Sequence, residues 1–210
     1  MAKEKSKSGF LKNCAALLII TLIAGLALSC VNEITKQPIA KAEENAKLEA
    51  YTTVFENAEF KTLDNTEDLL KQSESSLQAK GLSNCTVDDV LEAVDQNGNK
   101  IGYVMSATSP SGYGGDIQIA VGISSKTNTI TGFSVLSNSE TAGLGAKCTE
   151  PEFTNQFSGK TANGIEYVKG AAALADNQID AISGATITTN AVTEAVNSAL
   201  AFYNDVLKEG

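Results

Sequence analysis

The sequence predicts an α+β protein: a single N-terminal transmembrane helix, then a domain in which helices pack on an antiparallel sheet. Three observations carry this. Residues 14–31 are apolar except for Thr21 and Ser29. Two segments between residues 87 and 136 read as β-hairpins, with apolar residues recurring at a period near two. The chain closes on a long segment whose apolar residues recur every three or four positions. Antiparallel strands beside separate helices are the pattern of an α+β fold, here with one sheet face covered by helices.

The apolar run starts just after a basic flank of Lys3, Lys5, Lys7 and Lys12, and Glu33 follows it. Its length is at the short end of what spans a hydrocarbon core of about 30 Å. The Lys bias predicts residues 1–12 in the cytoplasm, 13–31 as the anchor, and the rest on the extracytoplasmic side of the cell membrane. A cleaved signal is the competing reading, and Ala27-Leu28-Ser29-Cys30 has some likeness to a lipoprotein cleavage site. Both readings carry the domain across the membrane.

Residues 32–80 are predicted to form a helical stalk and packing helices. Ile39, Ala42, Ala46, Ala50, Val54 and Ala58 recur at helical spacing, with Pro38 expected as a kink or restart. A second helix is expected over 64–80, from Asp64-Asn65-Thr66 to Gly81. The domain proper is set at 81–210. Asn97-Gly98 joins the first predicted hairpin, 87–94 with 100–107; Lys126-Thr127-Asn128 joins the second, 116–123 with 129–136. Pro151 suits the first turn of a short helix, with Phe153 and Phe157 as core. Short strands are expected near Tyr167 and Ile179, and the last helix over about 188–208.

The net charge is −9 over 210 residues. Beyond residue 31 the chain holds 12 Lys against 24 acids, which excludes nucleic acid as a partner. The sequence has no His and no Arg. Imidazole bases, imidazole metal ligands and guanidinium clamps are therefore all missing. Four Cys form no Cys-x-x-Cys pair, so no metal site is indicated, and spacing alone does not say whether Cys85 and Cys148 are bonded. No catalytic side chain is expected.

What remains are three glycine-rich loops: Gly112-Tyr113-Gly114-Gly115-Asp116-Ile117, Glu140-Thr141-Ala142-Gly143-Leu144-Gly145-Ala146-Lys147, and Asp180-Ala181-Ile182-Ser183-Gly184-Ala185-Thr186. The third opens a helix rich in Thr186, Thr188, Thr189 and Asn190. Helix starts bind phosphate through unpaired N–H groups, although Ser, Thr and Asn are also favoured there simply as caps. The first loop is neither a dinucleotide fingerprint nor a Walker loop, because Ile117 stands where a further Gly is needed and no Gly-Lys-Ser/Thr follows.

In this order, behind one anchor, the three loops resemble the flavin-binding G subunit of the Rnf electron-transport complex. They are also similar to the C subunit of the sodium-translocating NADH:quinone reductase. The resemblance implies FMN joined through a phosphoester bond to the last Thr of Asp-x-x-Ser/Thr-Gly-Ala-Thr, here Thr186. It further implies a separate flavin transferase, partner subunits in a membrane, and a relay in an ion-translocating ferredoxin:NAD oxidoreductase that does no catalysis alone. The cofactor site is expected to include Ser183, Gly184, Ala185 and Thr189 from the third loop and helix. Glu140, Thr141, Gly143, Leu144, Gly145 and Lys147 are expected from the second loop, with Tyr113 and Gly114 from the first. The second loop departs from the usual pattern, with Asn138 in place of His and Ala142 in place of Pro. The alternative of another class is an exported lipoprotein that holds a phosphorylated ligand without a covalent bond.

Overall fold

The structure, a computed structural model, describes residues 3–170 and 175–208. Residues 1 and 2 of the expected cytoplasmic segment, and 171–174, 209 and 210 of the C-terminal domain, lie outside the described residues. The chain divides into two units, Met1–Asn45 and Ala46–Gly210.

Helix α1 runs from Lys3 to Val54. Its stretch Gly9–Val54 is long and apolar enough to cross a membrane, and its most apolar window is wholly unburied. Pro38 lies inside α1 without ending it, so the helix does not restart there. Pro removes one N–H from the ladder, but good helix formers such as Lys36, Gln37, Ala40, Lys41 and Ala42 flank it and carry the helix through.

The second unit is built on an antiparallel meander of five strands in sequence order. These are β1 (Glu59–Thr62), β2 (Thr86–Val94), β3 (Lys100–Ser109), β4 (Ile117–Ser124) and β5 (Thr129–Ser137). β1 falls between the two helices expected over 32–80, where no strand was expected: it is a short edge strand pairing Glu59–Thr62 with Leu91–Val94. Its four residues are at most half-buried, so no apolar alternation marks it. Helix α2 (Thr66–Ala79) follows β1. The first hairpin turn is organised by Asp95, whose Oδ1 accepts the N–H groups of Asn97 and Asn99 at 2.8 and 2.9 Å.

Pleating sorts side chains by size. On one face Tyr103, Met105 and Ala107 of β3 join Ile117, Ile119, Val121 and Ile123 of β4 in the main core. Helix α4 (Thr186–Phe202) and Leu77 of α2 cover that face. On the other face stand Gly102, Val104, Ala120, Gly122 and Gly132, and a second core forms there around Tyr51, Val54 and Phe55 of the first helix and its end. Both faces are therefore covered, which corrects the one-sided sheet expected above. The reason is close approach. A Cβ on Gly122 would sit 2.6 Å from the Val54 carbonyl oxygen, and one on Gly132 would sit 2.7 Å from Val54 Cα. Thr131 Oγ1 donates to that same carbonyl at 2.6 Å. Of the apolar positions expected on a core face here, Val54 is buried, whereas Ile39, Ala42 and Ala46 are exposed.

After β5 come a 3₁₀ turn (Gly145–Thr149) and the short helix α3 (Pro151–Thr154). Strands β6 (Glu166–Val168) and β7 (Gln178–Asp180) pair in parallel. Phe153 and Phe157 are in the core, as expected from sequence. α4 begins two residues earlier than expected and passes into a π-turn, Tyr203–Leu207. Two of its buried hydroxyls are satisfied by its own backbone: Thr193 donates to the Thr189 carbonyl at 2.8 Å and Ser198 to that of Ala195 at 2.7 Å. Cys85 and Cys148 are both free and buried.

Candidate functional site

The turn between β7 and α4 is fixed from three sides. Gln156 grips Asp180, accepting its N–H at 2.7 Å and donating to its carbonyl at 3.3 Å. The Ala181 N–H donates to the Val168 carbonyl at 2.7 Å, which extends the parallel pair. Gly184 has φ of 78°, a conformation that disfavours a side chain, and the chain then closes with Ala185 N–H donating to the Ile182 carbonyl at 3.0 Å. Thr189 braces this turn from beneath. Its Oγ1 accepts the Ile182 N–H at 3.1 Å and donates to the Ala185 carbonyl at 3.0 Å. Thr186 is thereby presented half-buried at the first position of α4. No side chain caps the helix. The local capping role expected of Ser, Thr and Asn here is therefore corrected, because Thr188 and Thr189 are engaged elsewhere.

The second loop folds on itself through the Thr141 carbonyl, which accepts from Leu144 and Ala146 at 3.1 Å each. Gly143 takes φ of 77° within it. Asn138 Oδ1 accepts the Glu140 N–H at 3.1 Å, so this residue orders the loop start. Glu140 then joins all three loops: Oε1 accepts the Gly114 N–H at 2.8 Å and Oε2 accepts the Thr188 hydroxyl. Gly145 leaves the space this needs, since a Cβ there would meet both Glu140 Oε2 and Thr188 Oγ1.

These loops enclose a cavity of about 470 Å³, within the range of about 300–1,000 Å³ usual for small-molecule sites. It is lined by the expected Tyr113, Glu140, Thr141, Leu144, Gly145, Gly184, Ala185 and Thr186. Ile187 and Thr188 also line it, beyond the residues expected from the sequence. Their signal was position: the two residues after Thr186 on the first turn of a helix. Tyr113 is 72%, Leu144 47% and Ile187 53% exposed; among the described residues beyond α1 these are the exposed large hydrophobics. Apolar groups left in water around one cavity mark a place where a ligand or partner binds.

Five expected residues do not line this cavity. Gly143 makes the turn of the second loop, with φ of 77°. Lys147 and Ser183 line a neighbouring cavity of about 290 Å³, with Glu150, Glu152 and Asp180, on the far side of the turn. Thr189 is buried as the brace. Gly114 acts through its N–H, bonded to Glu140. Behind the second loop Cys148 is pushed up to about 11, first by burial and then by the charge of Glu140, so it is a neutral thiol.

A family model described as an FMN-binding domain matches residues 112–201, the span that holds all three loops. The G subunit of the Na(+)-translocating ferredoxin:NAD(+) oxidoreductase complex of Acetobacterium woodii is 32% identical, over 91% of this chain and 90% of its own. The chain belongs to the G-subunit family of ion-translocating oxidoreductase complexes. The G subunit of the proton-translocating complex of Clostridium ljungdahlii is likewise 32% identical, over 95% of both chains. The crystal structure of the C subunit of Na(+)-translocating NADH-quinone reductase from Parabacteroides distasonis has a TM-score of 0.49 and 29% identity, over 63% of this chain and 67% of that one. The activity that this family serves is that of a multi-subunit oxidoreductase.

Proposed function

We propose that this protein is the flavin-carrying relay of such a complex, with FMN esterified through its phosphate to Thr186. The observation that carries the reading is the placement of Thr186: a half-buried hydroxyl at the first position of α4, on the wall of a cavity rimmed by Tyr113, Leu144 and Ile187. The residues present fit the group. The first-turn N–H groups of α4 would hold a phosphodiester at that hydroxyl, and their partial positive charge would offset the acidic domain around it. Leu144, Ile187 and Tyr113 give an isoalloxazine ring apolar and aromatic surface, and Gly184 and Gly145 keep the floor shallow. Bound flavin supplies one-electron transfer, which no side chain of this sequence provides. Lys147 and Ser183 belong to the neighbouring cavity.

α1 anchors the chain in the cell membrane with the Ala46–Gly210 unit on the extracytoplasmic side, as the Lys-rich start of the chain argues. The ion path lies in partner subunits, because residues 13–31 hold no ionisable group other than the thiols of Cys14 and Cys30.

Denaturing gel electrophoresis of protein co-produced with a flavin transferase tests the attachment. Flavin fluorescence is expected to run with the chain and to vanish in Thr186→Val. A fluorescent Thr186→Val band sinks the assignment. Intact mass separates the lipoprotein reading, which requires loss of the first 29 residues and added lipid at Cys30.

A further inference from the structure

α4 sends two polar arms to the loop that carries Tyr113. The first, from Thr188 through Glu140 to the Gly114 N–H, belongs to the cavity itself. The second stands outside it. Asn190 Nδ2 donates to Glu194 Oε1 at 2.8 Å. Ser109 Oγ donates to Glu194 Oε2 at 3.1 Å and accepts the Ser111 N–H at 3.3 Å. Ser111 Oγ in turn accepts from Asn84 Nδ2 at 3.0 Å. Ser109 is fully buried at the end of β3, and Glu194 is half-buried on α4.

A carboxylate taken out of water costs free energy unless its oxygens are matched, and here both are. Such a network contributes position more than stability. What it positions follows from the chain. The amides of Ser111 and Gly114 are both held, and only Gly112 and Tyr113 lie between them. The backbone of Tyr113 is thus fixed while its ring is 72% exposed beside the cavity. An aromatic ring on a held backbone is suited to stack on a flat ligand, and the carboxylate that steadies the loop, through Ser109, is 85 residues from Ser109 in sequence.

We propose that Glu194 and Ser109 are positioning residues which, through the Ser111 amide, hold Tyr113 as a wall against a flavin attached at Thr186. This rests on the flavin reading above. The test uses the full chain in detergent, produced with and without a flavin transferase. Without flavin, hydrogen exchange over residues 110–116 is expected to quicken in Ser109→Ala and Glu194→Ala. Glu194→Gln keeps a carbonyl acceptor for Ser109 and is expected to keep the protection. With flavin, a stacked phenol quenches emission. Emission per attached flavin in Ser109→Ala and Glu194→Ala is therefore expected to rise to the level of Tyr113→Leu. The double variant Glu194→Ala/Tyr113→Leu is expected to be no brighter than Tyr113→Leu alone. Where Glu194→Ala lowers the yield of folded protein, Ser109→Ala carries the same test. Unchanged exchange, unchanged emission in both single variants, or additive brightening in the double variant overturns the proposal. A wild-type chain without covalent flavin overturns the flavin reading too; a wild-type chain that carries flavin, with variants that do not brighten, overturns only the positioning role.

Discussion

At the scale of single residues, Glu140 is where the three loops meet. Its carboxylate takes the Gly114 N–H on one oxygen and the Thr188 hydroxyl on the other. Glu140→Ala leaves the buried Thr188 hydroxyl without this partner, while the exposed Gly114 N–H turns to water; one buried unsatisfied group costs about 1–3 kcal/mol. Urea denaturation is expected to show a loss in that range. Thr188→Val removes one of the two donors, so its cost and that of Glu140→Ala are expected to be less than additive in the double variant. Full additivity would show that the two side chains do not act as a pair. The cysteines give a pH-dependent counterpart. Burial, the first cause, lifts Cys85 and Cys148 from an ordinary thiol value of 9.0 to about 11. Native Cys85 and Cys148 are therefore expected to resist iodoacetamide at pH 8, and mass measurement after digestion reports it. Since the folded-state values are raised, this contribution to stability is whole below pH 9.0 and is lost as the pH climbs toward 11. Labelling of either residue in native protein overturns this. Much of the site was legible in the sequence, because glycine loops and a Thr-rich helix start are local patterns. The Thr188–Glu140 and Ser109–Glu194 pairs were not, because they join residues 48 and 85 apart through polar side chains that carry no periodicity.

Among elements, legibility tracked burial. β2 to β5 alternate and turn at Asn97-Gly98 and Asn128, so their hairpins could be read directly. β1 could not, since it is a short edge strand with no residue fully buried. The covered second sheet face was hidden for another reason: glycines, not an apolar stripe, make it. Gly122 and Gly132 pair across β4 and β5, and together they admit the backbone of Val54. Gly132→Ala places a methyl group 2.7 Å from Val54 Cα, and backbone on both sides cannot yield as a side-chain tip would. The expected cost is that of overpacking, about 1–3 kcal/mol, read as a lower urea midpoint. The cavity lies at the start of α4, which packs on the opposite face of the sheet, so flavin attachment at Thr186 is expected to survive this change. An unchanged midpoint would mean that the end of α1 can lift from the sheet at little cost.

For the molecule as a whole, the boundary that matters for folding lies inside α1. Both core clusters draw their buried residues from between Tyr51 and Leu207. Lys47 adds a hydrogen-bonded ion pair with Asp89 at 2.8 Å, and Asp89 also accepts from Tyr51 at 3.3 Å. Among the described residues, none before Ala46 belongs to either core. A chain beginning at Ala46 is therefore expected to fold, to melt cooperatively, and to accept flavin at Thr186 without associating with membranes. A chain beginning at Ala58 keeps every strand and the whole candidate site, yet loses Tyr51, Val54 and Phe55. Deleting a large buried side chain costs about 3–5 kcal/mol where an aromatic is removed, and two aromatics go here together with Val54. Set against a total stability of about 5–15 kcal/mol for a domain, that loss is of the size that unfolds it. Circular dichroism melts of the two truncated chains decide the matter. The expected result is a sharp transition for the first and a weakened or absent one for the second. Equal transitions would show that the small second core is dispensable and that the stalk ends before Tyr51. The contrast follows from one feature of the sequence. Glycines at 102, 122 and 132 leave the sheet's second face too bare to stand alone in water, so the last turn of the membrane-directed helix also serves as part of the domain's core.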